Sequence, residues 1–367
     1  MKNGDGQVRD RKPIPVIVIG GFLGAGKTTL LNYILSENHG IRVGVLVNDF
    51  GAINIDAKLV VGVDGDVVSL ANGCVCCSIR DDLIPACMEL ILRKDPPELL
   101  IVESSGVSEP QQVANTFMVP EIERLMALDA VVTIVDAEQF PATMQGEMAS
   151  LARTQVEDAD MIVLNKVDLV NHKELKAVKS LLQIVAPRLR ILEATDGQVA
   201  LNLMMGNGIH SVSRAQDVTS SHGQAGHRTG PSFSTWHWTS DMPLSFPRLR
   251  SAIEALPDTV YRAKGIVHLE ELPSHRIVLQ MVGRRYDIGD TEPWGEQSPR
   301  TEIVVIGSKD GFDKDALQRA FDDCIGSGDE SMSPILRFNR FMAMDPESSL
   351  EAVLADRKIS TPSQHQT

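Results

Sequence analysis

The sequence predicts an α/β protein: a mostly parallel sheet with helices on both faces, followed by a smaller α+β unit built on an antiparallel sheet. Three observations lead there. Short β-branched runs, apolar on both parities, recur between residues 14 and 164, the pattern of strands covered on both faces. Helically spaced segments separate those runs, and alternating strand and helix favours parallel pairing. Beyond residue 232 the pattern changes to longer strands with only two helices among them.

The first unit is read as strands at 14–19, 43–47, 99–103, 130–135 and 161–164. Helices are expected at 27–35, 81–92 and 173–185, and the unit closes near Met205. Residues 206–232 are rich in Gly, Ser and His without apolar periodicity and read as a linker or mobile loop. The second unit offers strands at 233–238, 260–269, 276–288 and 301–306, with helices at 246–256 and 314–324. Residues 1–13 read as a flexible N-terminus, and residues 331–367 as an extension with one more helix at 331–354 and a polar tail. No internal repeat is visible.

The chain has 367 residues, enough for two domains with cores of their own. Lys and Arg number 35 against 49 Asp and Glu, a net charge of −14, which argues against nucleic acid or an anionic membrane as general partners because both are polyanions. No run approaches the roughly 20 apolar residues of a membrane span. The polar start has no signal-peptide core, so a cytoplasmic protein with reduced thiols is expected.

Residues 21–28, Gly-Phe-Leu-Gly-Ala-Gly-Lys-Thr, fit GxxxxGK[ST] between a predicted strand and a predicted helix. Glycines there let backbone N–H groups surround phosphate oxygens, and the helix N-terminus adds partial positive charge. Gly21, Gly24, Ala25, Gly26 and Thr29 are thus assigned to the phosphate cradle. Lys27 is assigned to the β/γ-phosphates and Thr28 to Mg²⁺. Asn165-Lys166-Val167-Asp168 follows a strand about 140 residues further on. A carboxylate at Asp168 accepts from guanine N1–H and the exocyclic amine, which adenine lacks, so GTP is favoured over ATP. Asn165 is expected to orient the loop and Lys166 to cover the base, with Ala194 and Thr195 as weaker lining candidates. Glu103, at a strand end, is assigned to Mg²⁺ directly or through water, and Gly106 to the γ-phosphate. Asp49 is a switch candidate for the attacking water or a metal.

Five cysteines include three within four residues, Cys74, Cys76 and Cys77, with Cys87 and Cys324 alone; such a set reads as metal or redox chemistry, not a disulfide framework. Without a second CxxC, a closed structural zinc site is not available. Two or three thiolates with an open position suit Zn²⁺, Cu⁺ or an iron–sulfur species over Mg²⁺ or Ca²⁺. The cluster lies between Asp49 and Glu103, in the stretch that responds to a γ-phosphate, so metal affinity and nucleotide state are expected to be linked.

Together these residues resemble the CobW-type P-loop GTPases, a family of metallochaperones and metalloenzyme activators. The matching stretches are GGFLGAGKTTLLN (20–32), NDFGAINID (48–56), NGCVCCSIRDDL (72–83), ESSGVSEP (103–110), VVTIVDAEQF (131–140), ADMIVLNKVDL (159–169) and YRAKG (261–265). The resemblance implies a P-loop GTPase domain over 14–205 and a CobW C-terminal domain over 233–330. It implies a transition metal, zinc most often, at Cys74, Cys76 and Cys77, and GTP-driven delivery to a client metalloprotein. A regulatory switch, or a role with Co²⁺ or cobalamin, is the alternative. Two departures stand out. Asp49 replaces the family's usual glutamate and is one methylene shorter. The histidines between the domains, His210, His222 and His227, are sparse, and His237 falls in a predicted strand. Arg262 and Lys264 face the nucleotide domain, a client or solvent. Client identity and oligomeric state are not readable.

Overall fold

The computed structural model describes residues 13–48, 67–70, 79–205 and 233–326. Asp49, the cysteine triad Cys74, Cys76 and Cys77, the segment 206–232 and the extension 331–367 lie outside the described residues, as does the N-terminus up to residue 12.

The first unit runs β1 (Ile14–Gly21), α1 (Lys27–Ser36), β2 (Val43–Asn48), β3 (Val67–Leu70), α2 (Ile79–Ile91), β4 (Leu99–Glu103), α3 (Pro110–Phe117), β5 (Met126–Asp136), α4 (Ala149–Glu157), β6 (Met161–Asn165), α5 (His172–Val185) and β7 (Arg190–Glu193). Its seven strands lie in the order β3-β2-β4-β1-β5-β6-β7, every neighbouring pair parallel. Strand β1 shows why both parities must be apolar. Ile17 and Ile19 pack in one core with Leu30, Leu31 and Ile34 of α1. Val16 and Val18 pack in another with Leu83, Cys87 and Leu90 of α2. The chain builds one side of the sheet, returns to β4 beside β1, then crosses to β5 on the other side. In open α/β sheets the crevice at the carboxyl ends beside such a reversal is where ligands bind.

The second unit runs β8 (Phe233–Ser240), α6 (Phe246–Glu254), β9 (Val260–His268), β10 (His275–Val282), β11 (Arg285–Pro293), β12 (Thr301–Ser308) and α7 (Lys314–Asp322). Its antiparallel sheet is ordered β11-β10-β9-β12-β8. Strict alternation along β12 turns Thr301, Ile303, Val305 and Gly307 inward. Phe246, Leu249 and Ile253 of α6 and Leu317 and Phe321 of α7 cover that core, and Trp238 Nε1 donates to Asp322 at 2.9 Å.

Two expectations need correction. The single strand expected at 276–288 is a hairpin, with Val282 opposite Arg285 across Gly283-Arg284. Gly283 has φ +55°, the positive value a two-residue hairpin loop with glycine first requires. Apolar residues continuing on both sides of the glycine hide the turn. Strand β5 begins at Met126, four residues earlier than expected. Its register with β1 slips between Val16–Leu128 and Ile17–Ala130, so Asp129 is an extra, bulged residue. A polar residue in the middle of the run breaks the apolar pattern.

The sheets meet along a polar seam. Arg285 Nε of β11 donates to Asp160 Oδ2 at 2.9 Å, and Arg284 N to Asp160 O at 2.9 Å. Arg190 Nε of β7 reaches Val260 O at 2.6 Å, and Arg262 Nη1 of β9 reaches Asn202 O at 2.7 Å. Arg262 therefore faces the nucleotide domain, and so does Lys264, two residues on along β9 and within reach of the Asp129 charge of β5, which is one of the three readings the sequence allows. Among the described residues, no helix is long and apolar enough to cross a membrane.

Candidate nucleotide-binding site

The loop between β1 and α1 owes its path to glycine. Gly21, Gly24 and Gly26 have φ of +133°, +76° and +106°. At Gly21 an added Cβ would lie 2.3 Å from Ile134 O, and at Gly26 2.3 Å from Asn165 Nδ2, so neither position admits a side chain. Ala25 is buried between them. Gly26 caps α1 in left-handed geometry, leaving the helix N-terminus open at the loop. Lys27 is buried, and its Nζ donates to Gly21 O at 3.0 Å and Phe22 O at 3.4 Å. Thr28 is half-buried and Thr29 exposed in the first turn of α1.

Asn165, at the tip of β6, is 2 % exposed and joins two loops. Its Nδ2 donates to Ala25 O at 3.0 Å, and its Oδ1 accepts from Gly197 N at 2.9 Å. Gly197, at φ +64°, lies where a Cβ would come within 2.7 Å of Leu30 N. One amide thus fixes the phosphate loop against the 194–197 segment, where Ala194 N bonds Leu164 O at 2.9 Å. Asp168 sits exposed in the short 3-10 turn Val167–Leu169 that follows. Lys166, held at φ +60°, pairs with Asp136 Oδ2 at 2.6 Å. Asp136, at the tip of β5, also accepts from Glu138 N and Gln139 N.

Glu103 ends β4, buried, level with Ile19 of β1 and Val47 of β2. The turn after it bends back over the loop: Ser104 N donates to Ile19 O at 2.8 Å, and a Cβ on Gly106 would lie 3.0 Å from Leu23 N. Gln155 of α4 donates to this turn through its side-chain amide. A small open cleft lies beside the loop, lined by Phe22, Leu23, Asp136, Phe140 and Gln155 among others.

The structure brings Gly21, Gly24, Ala25, Gly26, Lys27, Gly106 and Asn165 around one loop. Asp136 and Gln155 are the additions that sequence reasoning missed. Asp136 ends a strand and stands out in the sequence only as part of the stretch VVTIVDAEQF; Gln155 sits in a helix with no motif of its own. Cys87 and Cys324 are buried, and burial pushes their thiols up to about 12 and about 11, which keeps them protonated. His237 is an exposed residue of β8.

A parallel sheet with a glycine-bent loop at its central strand tip, running into a helix that starts with Lys-Thr, defines a P-loop nucleotide-binding protein. The family model "CobW/HypB/UreG, nucleotide-binding domain" matches residues 15–193, and "Cobalamin synthesis protein cobW C-terminal domain" matches residues 233–325. The chain belongs to the CobW family of P-loop GTPases. Among its relatives is the Zinc chaperone CobW of Sinorhizobium sp, 32% identical over 344 residues, covering 84% of this chain and 96% of that protein. The Zinc chaperone YjiA of Escherichia coli (strain K12) is 31% identical over 315 residues, covering 80% and 94%. The Zinc-regulated GTPase metalloprotein activator 1 of Dictyostelium discoideum is 36% identical over 247 residues, covering 58% and 52%.

Proposed function

We propose that this GTPase is a metallochaperone that holds a transition metal, zinc in the first place, at Cys74, Cys76 and Cys77 and hands it to a client metalloprotein as GTP is hydrolysed. The observation that carries the guanine half is the Asn165 bridge, 3.0 Å to the phosphate loop and 2.9 Å to the 197 loop. It ties the segment bearing Asp168 to the phosphate cradle, so one rigid unit reads both ends of the nucleotide. The names of the relatives support the zinc half.

In this reading Asp168 accepts from the guanine edge, and Lys166, steadied by Asp136, covers the ring. Lys27 exchanges its loop carbonyls for β/γ-phosphate oxygens, a stronger, charge-assisted contact. Thr28 and the buried Glu103 have the oxygen chemistry that Mg²⁺ prefers and lie on the elements flanking the loop. When bound, Mg²⁺ neutralises charge on the phosphate oxygens. Gly106 N–H reads the γ-phosphate, and Asp49 is assigned to the attacking water. Loss of the γ-phosphate then releases the turn that begins at Glu103 and, with it, the thiolate segment that precedes β4.

The test is Zn²⁺ titration of the full chain with Mg²⁺ and either a non-hydrolysable GTP analogue or GDP. Moving the site from mostly loaded to mostly empty requires a ratio of up to about 10⁴ in affinity. A clear preference for the GTP-analogue state, lost in Cys76→Ser/Cys77→Ser, supports the reading; equal affinity in both states defeats the coupling. The same titration with Co²⁺ decides between the two metals.

A further inference from the structure

We propose that Gln155 is the positioning residue that holds the γ-phosphate-reading turn in its reading geometry, and so gives the site its preference for GTP over GDP; this rests on the GTPase reading above. Gln155 is 2 % exposed on α4. Its Nε2 donates to Gly106 O at 3.3 Å and to Ser108 O at 2.9 Å. Its backbone carbonyl accepts from Thr133 Oγ1 of β5 at 2.9 Å, which fixes the helix turn that carries it.

The geometry of the turn gives these bonds their meaning. Ser105 O accepts from Ser108 N at 3.0 Å and from Ser108 Oγ at 2.9 Å. In a trans peptide the carbonyl and the following N–H point in opposite directions. Pulling Ser105 O toward Ser108 therefore aims Gly106 N–H away from the turn's interior. The close approach of Gly106 to Leu23 of the phosphate loop leaves no room for a side chain there. Ser105, Gly106 and Ser108 thus all have their carbonyls satisfied, two of them by the one amide nitrogen. Only an amide supplies two donors from one uncharged nitrogen at this reach. A carboxylate would set negative oxygen against two carbonyls, and an apolar side chain would leave the buried Gly106 carbonyl and the part-buried Ser108 carbonyl without that donor.

A donor already held in place costs no ordering when the ligand arrives. GTP uses the turn and GDP does not, so loss of Gln155 falls on GTP alone. Gln155→Leu is expected to weaken a non-hydrolysable GTP analogue about 10- to 100-fold while leaving GDP within about twofold. Thr133→Val loosens α4 but keeps the amide, and is expected to retain the preference. Gln155→Asn, one methylene short, carries the test should the leucine variant fail to fold, with a smaller loss confined to the GTP analogue. Equal loss of both nucleotides, or loss of neither, overturns the role of Gln155 while the GTPase reading stands. A wild-type chain that binds neither nucleotide overturns both.

Discussion

At the carboxyl edge of the parallel sheet, the buried Lys27 is held by the carbonyls of Gly21 and Phe22; at the seam between the two sheets, Lys264 sits beside Arg262 and the bulged Asp129. Each is a lysine in a confined site, yet their surroundings do opposite things. The edge offers oxygen atoms of a glycine-bent loop that a phosphate can replace. The seam offers a second cation, with the Asp129 carboxylate opposing it. Burial, with Arg262 beside it and Asp129 opposing, brings Lys264 down to about 7. Burial also lowers Arg262 and Arg190 to about 10, against the pull of Asp129 and Asp258 respectively. Under the proposed function, a lysine is readied for an anion at one place; at the other, burial first and a neighbouring guanidinium second weaken its hold on a proton, with Asp129 opposing.

The largest effect that would break this contrast lies at the edge. Under the proposed function, Lys27→Met removes the cation from the phosphate site while filling the same space. Charge-assisted bonds to two phosphate groups make a loss of about 10²- to 10³-fold in GTP affinity the expected result. Equilibrium binding measures it, and thermal unfolding of the free variant checks that the fold persists. Undiminished binding would mean that Lys27 belongs to its loop and not to a ligand.

Next comes the seam. Asp160 Oδ2 accepts from both Val131 N and Arg285 Nε at 2.9 Å. Asp160→Ala leaves a backbone donor and a guanidinium unpaired at a buried position, at a cost of about 2–3 kcal/mol because Arg285 keeps some contact with water. For domains of this size that lowers Tm by ~5–10 °C. GDP affinity is expected to stay within about twofold. A nucleotide defect as large as the stability defect would erase the distinction between the two regions.

The same contrast explains what the sequence could reveal. The edge was legible because its chemistry is local: GxxxxGK[ST] needs eight consecutive residues and NKxD four, and each followed a recognisable strand. Asp136 and Gln155 were not legible, since their roles exist only once β5, β6 and α4 stand side by side. The seam was still less accessible. Arg190 finds Val260 70 residues away, and Arg285 finds Asp160 125 residues away. No spacing rule joins such pairs, and the hairpin that delivers Arg285 is hidden within one continuous strand-like run. Gly283 is the clue in retrospect: a Cβ there would lie 1.9 Å from Asp160 O, so the residue that makes the turn also lets it dock.

The smallest effect sharpens the comparison through pH. Lys264 titrates near 7 in the folded chain and near 10.5 when unfolded. Between those values the unfolded chain holds a proton that the folded chain has released, so this group makes stability rise with pH across that window and level off above it. Below pH 7 the charged form is present in both states and the desolvation cost is felt in full. Lys264→Met keeps the length of the side chain and removes the titration. The variant should therefore melt above wild type at pH 6.5, by a few degrees once water reaching the half-buried side chain and the opposing Asp129 carboxylate offset part of the desolvation. The gap should close as the pH approaches 10. Neighbouring residues across the sheet, Gln280 on β10 and Val304 on β12, carry no charge that would titrate in its place. Parallel melting curves at every pH would show that Asp129 compensates the charge of Lys264 completely, and the seam would then resemble the edge after all.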